Sequence, residues 1–346
     1  MTEDSSIMDA AAEALASMGV KDAVAVRRYG NGHINDTFKV DTAGGAVLVL
    51  QRVNTSIFTD LKPLEANVRR VTSHLAAKGV KSLEVLGYDG PWRLFAFVDG
   101  FSREVVETPA DAYATALAYA KFQNDLADLP PSEIAEILPR FHDTPDRIRQ
   151  LDEAAAADAA GRRASVAAEL AFVDARRGDA SRIVDLVASG DIPLRLAHND
   201  SKSNNVLVSD DGSSVVIDLD TVMPGTGLSD FGDMVRSASA SAAEDEPDLS
   251  KVRSVPERFE AIARGYLDGA KFLNEAEKAN LVAAGRLSTF EVGVRFLADY
   301  LAGDVYFKTA FPEHNLVRAR NQFKMVESIE EQSVAYEETV RRIVKP

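Results

Sequence analysis

Three side chains in one short stretch have the types and spacing to act together on a charged substrate. The stretch runs from Leu194 to Arg236, and its loop reads His198-Asn199-Asp200-Ser201-Lys202-Ser203-Asn204-Asn205. Val206, Leu207 and Val208 follow, then Asp210-Asp211-Gly212, then Val215, Val216 and Ile217, with Asp218 just beyond. Strand, Asp-Gly turn, strand is the pattern of a hairpin. It folds Asn205, opening the first strand, back beside Asp218, closing the second. An adjacent amide and carboxylate offer hard oxygen ligands, which suit Mg²⁺ better than a softer metal. Asp200 precedes the Asn closely enough to contact a hydroxyl held near that metal. Turn chemistry alone also favours Asp and Asn, so the surrounding elements must decide.

Composition narrows the options. The chain has 346 residues, 46% hydrophobic, enough for two domains or one large two-lobed unit. A net charge of −15 and a pI near 4.9 disfavour nucleic acid or an anionic membrane as partner. Cysteine is absent, so no disulfide framework or thiolate metal site is available. The first residues carry acids and no long apolar core, and no run reaches membrane-spanning length. A cytoplasmic protein is expected, and the oligomeric state stays open.

The elements that must position the hairpin follow in order. Residues 7–18 have a helical apolar pattern ending at Gly19. Ala23 to Arg28 reads as a strand, followed by a polar loop containing Asn31, Gly32, His33 and Asp36. Strands around Phe38 and over Val47 to Val53 come next, separated by Gly44-Gly45. The Gly-containing loop resembles one that covers a nucleotide, because backbone N–H groups can approach phosphates where no side chain intervenes. Arg52, or by strict alternation Gln51, is the candidate phosphate-binding side chain. A helix over Pro63 to Lys78 carries Glu65 near its start, placed to pair with the strand cation or to favour the helix dipole. Strands over Leu83 to Leu86 and Trp92 to Val98 end at a hinge, Asp99-Gly100.

Beyond the hinge the chain is helical on either side of the hairpin. Arg147 to Gly190 reads as two or three helices, Glu275 to Leu287 and Ser288 to Leu301 as separate ones, and Asn315 to Val344 as one long helix. Asp230-Phe231-Gly232 comes too late to supply the metal ligand. Asp230 and Asp233 read instead as acids that brace the loop or cap the next helix. The fold class is α+β and bilobal, with a nucleotide-binding lobe over 1–98 and a helical lobe over 99–346 bearing catalytic loop and substrate site.

Asp, Asn five residues later, then a metal-binding Asp is the spacing of a kinase catalytic loop. The run HNDSKSNNVLV…VVIDLD resembles the aminoglycoside phosphotransferase and choline kinase superfamily, whose fold is protein-kinase-like. GNGHINDTF at 30–38, LQRVN at 50–54, FEVGVRFLADYLAGDVYFK at 290–308 and NLVRARNQFKMVESIE at 315–330 resemble more narrowly its bacterial N-acetylhexosamine 1-kinases. The resemblance covers both lobes. It implies transfer of the ATP γ-phosphate to the anomeric hydroxyl of a small-molecule sugar. Asp200 would orient that hydroxyl and take its proton, and Lys202 would offset charge on the moving phosphoryl group. Asn205 and Asp218 would hold Mg²⁺ against ATP bound in the cleft. His33, Asp36, Arg295 and Tyr306 fall where that branch contacts substrate. Arg295 sits in an apolar helix, so a ligand or an internal acid such as Asp299 must answer its charge. Tyr306 could equally be core. The usual strand Lys is replaced by Gln51-Arg52, which leaves the phosphate clamp open. Two other readings remain: the same fold acting on an aminoglycoside, choline or another amino alcohol, and a non-catalytic nucleotide-binding module.

Overall fold

The computed structural model describes residues 3–30, 34–103 and 105–345, and they form two compact units. The first comprises Met1–Phe101, Ile134–Leu138 and Leu207–Asp220. It begins with α1 (Glu3–Ser17), β1 (Ala23–Arg28), β2 (Asp36–Thr42), β3 (Val47–Arg52), α2 (Leu61–Ala77), β4 (Val85–Asp89) and β5 (Trp92–Ala96). The strands form an antiparallel sheet in the order β1-β2-β3-β5-β4. Alternation puts Phe38 and Val40 on one face, beside Leu50 and Leu94, and the α1 stripe of Ile7, Ala11 and Leu15 packs against them. Trp92 belongs to this core and contacts Phe38. α2 starts where the Asp60 side chain accepts from Lys62 N–H, and it buries Leu64, Val68, Val71 and Leu75. It stops before Gly79, whose φ of 71° favours a residue without Cβ.

After β6 (Phe101–Ser102) come α3 (Pro109–Asp125), α4 (Thr144–Ala157), α5 (Ala167–Asp174), α6 (Arg182–Ala188), β7 (Arg195–Ala197), β8 (Val206–Val208), β9 (Ser214–Val216) and β10 (Met223–Gly225). α7 (Gly227–Ala238), α8 (Pro256–Gly269), α9 (Glu275–Ala279), α10 (Leu281–Ala302), α11 (His314–Glu331) and α12 (Ser333–Val344) complete the chain. In the second unit, Phe290, Val294, Leu297 and Leu301 of α10 are buried against Leu316 and Phe323 of α11 and Ile148 and Leu151 of α4. Gly232 lets α7 approach α10: a Cβ there would lie 2.6 Å from the Ala284 carbonyl oxygen. Among the described residues, no helix is long and apolar enough to cross a membrane.

Three expectations change. Residues 288–301 are not a separate helix; α10 runs unbroken from Leu281, because the break falls at Asn280, whose amide turns back onto the Ala276 carbonyl (2.8 Å). The long terminal helix divides at Gln332, whose side chain donates to the carbonyls of Ser328 (3.0 Å) and Ser254 (3.1 Å) in competition with helical bonding. The break lets Tyr336 stack on Phe259 at 3.8 Å. The hairpin segment Leu207–Asp220 groups with the first unit, not with the helices. Polar bonds hold it there: Ser209 Oγ donates to the Asp99 carbonyl (2.9 Å) and Lys81 Nζ to Ser209 Oγ (3.2 Å).

Candidate active site

The loop that carries Asp200 leaves β7, which pairs with β10 through Ala197↔Met223 and Gly225↔Arg195. Asn199 then takes a left-handed backbone, φ 62°, which Asn tolerates better than most residues. The bend is fixed from several sides. The backbone N–H groups of His198 and Asn199 donate to the Asp230 carboxylate at 2.8 and 2.7 Å, and Gln123 Nε2 adds a third bond at 2.7 Å. Asp230 lies in the first turn of α7, at the positive end of the helix. Burial pushes its carboxyl up, against the pull of His198 and these donors. Asn199 Nδ2 donates to the Thr221 carbonyl (3.0 Å) and Tyr119 Oη to the Lys202 carbonyl (2.8 Å). The His198 ring is wholly buried, edge-on to Tyr119 and Phe122.

Asp200 emerges from this bend. Lys202 Nζ lies 2.9 Å from its Oδ1, and Asn205 Nδ2 lies 3.1 Å from its Oδ2. Burial opposes ionisation of Asp200, but the Lys202 ammonium outweighs it and holds the carboxyl below the usual aspartate range. The Asp200 charge in turn raises Lys202. The pair is an ionised carboxylate with a cation at its side. With Nδ2 turned to Asp200, Asn205 has its amide oxygen as the group suited to a cation. Asn205, in the second unit, immediately precedes β8, and Asp218, φ 57°, lies two residues beyond β9 in the first. An amide oxygen and a carboxylate match the hard-donor preference of Mg²⁺. Among the described residues, no group of three or more His, Cys, Asp or Glu could hold a metal by itself. Phosphate and water oxygens would complete such a shell.

The first unit holds the residues expected around the nucleotide, with His33 and Asp36 of those expected at the substrate. Asn31, Gly32 and His33 lie outside the described residues. Arg52 stands opposite Asp36 across β2 and β3 and donates to it through Nε (3.1 Å) and Nη2 (2.7 Å), while Arg28 adds a third bond at 3.1 Å. Burial opposes the Asp36 charge, but the two guanidiniums hold its carboxyl low. Glu65 takes Arg69 Nε at 3.0 Å instead of the strand cation, because Asp36 already occupies Arg52 and Arg69 lies one turn along the same helix. Gln51 accepts from Arg93 Nε (2.8 Å) and donates to Thr37 Oγ1 (3.0 Å).

Arg93 escaped the sequence reading. It is 2% exposed on β5, and its fork grips the Asp220 carboxylate, itself 3% exposed. Asn35 Nδ2 adds a bond to Asp220 at 2.8 Å, and its Oδ1 accepts from Asn54 N–H. The signal was an Arg inside Trp-Arg-Leu-Phe, the same anomaly that singled out Arg295.

In the second unit, the Arg295 guanidinium lies over the rings of Phe141 (4.9 Å), Phe307 (5.6 Å) and Tyr306 (5.9 Å). Asp299 does not answer its charge. Asp299 accepts the backbone N–H groups of Val305 (2.9 Å), Tyr306 (2.8 Å) and Phe307 (2.9 Å), and so shapes the turn that carries Tyr306. Tyr306 is 46% exposed and is not core. One turn before Arg295, Glu291 binds His142 Nδ1 at 2.8 Å, and His142 Nε2 meets the Asn199 carbonyl at 3.0 Å. Both residues were missed, though Glu291 between Phe290 and Val292 is again a charge in an apolar run.

The family model described as the phosphotransferase enzyme family matches residues 25–272. Among solved structures, a choline/ethanolamine kinase family protein from Mesorhizobium loti has a TM-score of 0.61 at 16% identity, covering 97% of this chain and 99% of that one. A choline kinase from Cryptosporidium parvum has a TM-score of 0.60 at 15% identity, over 98% and 99%. The streptomycin–ATP ternary complex of APH(2")-IIa has a TM-score of 0.59 at 12% identity, over 95% and 99%. At these identities the likeness is one of fold, the protein-kinase-like α+β fold of aminoglycoside phosphotransferases and choline kinases.

Proposed function

The chain belongs to the phosphotransferase enzyme family, and on that premise we propose that it transfers the γ-phosphoryl group of ATP to the anomeric hydroxyl of an N-acetylhexosamine. The observation that carries the chemistry is Asp200, an ionised carboxylate aimed by a braced bend and flanked by Lys202 and Asn205. Asp200 accepts a hydrogen bond from the C1 hydroxyl and takes its proton as the sugar oxygen bonds to γ-phosphorus. The bond from γ-phosphorus to the β,γ-bridging oxygen breaks, and ADP leaves. Lys202 offsets charge on the transferring group. Asn205 and Asp218 would hold Mg²⁺, which would supply neutralisation of phosphate charge. Positioning and electrostatics supply most of the rate gain in such transfers. By the resemblance, Asn31, Gly32 and Arg52 would serve the nucleotide and His33, Asp36, Arg295 and Tyr306 the sugar, whereas Glu65, paired with Arg69, lacks the strand-cation contact that suggested its role.

The solved structures that share the fold include choline kinases and aminoglycoside phosphotransferases, which keeps a cationic alcohol as the second reading. The charge distribution favours the neutral sugar. Arg295 presents a cation among aromatic rings where a cationic substrate would be repelled, whereas hydroxyl and acetamido oxygens accept from a guanidinium. A cationic alcohol would want open acids or an aromatic cage, but Glu244 is engaged with Arg236 (2.5 Å) and Glu246 with Lys251 (3.4 Å). Trp92 is sheet core and forms no cage. Phosphorus NMR with ATP, Mg²⁺ and a panel of sugars, aminoglycosides and choline decides. A sugar 1-phosphate signal with N-acetylhexosamines supports the proposal. Turnover confined to cationic alcohols replaces it with the second reading, and nucleotide binding without turnover leaves a binding module.

A further inference from the structure

His142 precedes α4 and faces two oxygens. Its Nε2 lies 3.0 Å from the Asn199 carbonyl, which only accepts, and its Nδ1 lies 2.8 Å from the Glu291 carboxylate. Glu291 is 3% exposed in its side chain and takes a further bond from Thr144 Oγ1 at 2.7 Å. Counting donors against acceptors, a neutral imidazole has one N–H for two oxygens, whereas an imidazolium serves both. The bond to Asn199 falls on the residue whose left-handed bend precedes Asp200. The bond to Glu291 falls one turn from Arg295.

We infer that His142 is a positioning residue for the reaction: by donating to both Glu291 and the Asn199 carbonyl, it fastens the bend that aims Asp200 to helix α10. This rests on Asp200 being the group that orients the acceptor hydroxyl. The surrounding charges agree with a double donor. From α10, Glu291 favours the cation and Arg295 opposes it; from α7, Asp230 favours it; from α4, Arg147 adds positive charge near Glu291 and Arg295. Burial works against the charged ring, but Glu291 outweighs it, so His142 titrates above the ordinary histidine range, and Glu291 below the ordinary glutamate range. The sign follows. The clamp is complete below the ordinary histidine pKa and is lost as pH rises through the raised value, when one of the two bonds must go.

The test uses the whole protein labelled with ¹⁵N in histidine and backbone. Below the ring's midpoint both His142 nitrogens should show protonated shifts, that midpoint should lie above the ordinary histidine value, and the Asn199 and Asp200 amides should move with it. A ring that titrates at or below the ordinary histidine value, or amides blind to its titration, overturns the inference. These readouts need no turnover, so they stand apart from the identity of the substrate. With an accepted substrate, kcat should fall along the same alkaline limb. His142→Phe should lower kcat about 10- to 100-fold with little change in KM for ATP; a change under about twofold refutes the positioning role. Glu291→Gln is the second variant. Its amide can accept from an imidazolium or donate to a neutral ring, so the alkaline limb should disappear. Persistence of that limb at its original pH contradicts the clamp.

Discussion

Each unit contains an aspartate bound to a cation, and the two pairs are built differently. Arg93 and Asp220 are 2% and 3% exposed, bidentate, and enclosed by Gln51 and Asn35. Lys202 and Asp200 are 40% and 27% exposed and meet through one contact of 2.9 Å. The first arrangement satisfies its groups and leaves them nothing to exchange. The second holds a charged carboxylate beside a cation that a substrate could draw away. Burial depth and bond saturation, more than residue type, separate a charge that keeps the fold from one that is free to react.

Substitutions can break that contrast. Asp200→Asn should cut turnover about 10²- to 10⁴-fold while the melting transition and ADP binding stay near wild type, as read by steady-state kinetics and calorimetry. Comparable loss of stability would place Asp200 with the structural pairs. Asp220→Asn should cost about 3–5 kcal/mol in urea unfolding, because Arg93 is left buried with its partner's charge removed. Replacing both residues, Arg93→Met with Asp220→Leu, should recover most of that loss; a double variant as unstable as the sum would contradict the view that the cost lies in the orphaned charge.

Smaller effects sharpen the same distinction. Lys202→Met should lower kcat about tenfold or more, and should move the acid limb of the pH–rate profile to higher pH, since the ammonium is what holds the Asp200 carboxyl down. An unmoved limb would mean that Lys202 does not set that titration. Arg52→Ala removes an ion pair whose side chains are 42% and 31% exposed, so unfolding should change by no more than about 1 kcal/mol. A raised KM for ATP with unchanged stability would assign Arg52 to the nucleotide, and an unchanged KM would leave it bracing Asp36.

Much of the fold was legible because its signals are local. Ala23–Arg28 is a strand as read, the Asp-Gly turn closes the hairpin, and the apolar spacing of Leu64, Val68, Val71 and Leu75 marks α2. The misread boundaries share a cause. Asn280 and Gln332 break helices through side-chain bonds that periodicity does not register. The missed residues are long-range partners: Arg93 and Asp220 are 127 positions apart, His142 and Glu291 149. Their sequence trace is only a charge inside an apolar run, which names the anomaly and not the partner. The loop of Asp200, Lys202 and Asn205 was legible because spacing fixes it, whereas its bracing by Asp230 and His142 needed coordinates.

The central claim is that Asp200 orients and deprotonates a sugar hydroxyl for phosphoryl transfer from ATP. Its most direct test measures sugar 1-phosphate formed from N-acetylhexosamine, ATP and Mg²⁺ by the wild type and by Asp200→Asn, with nucleotide binding checked in both. The account predicts product from the wild type and about 10²-fold less or lower still from the variant, with nucleotide affinity preserved. Equal product from both proteins, or none from a wild type that binds ATP and the sugar, would contradict it.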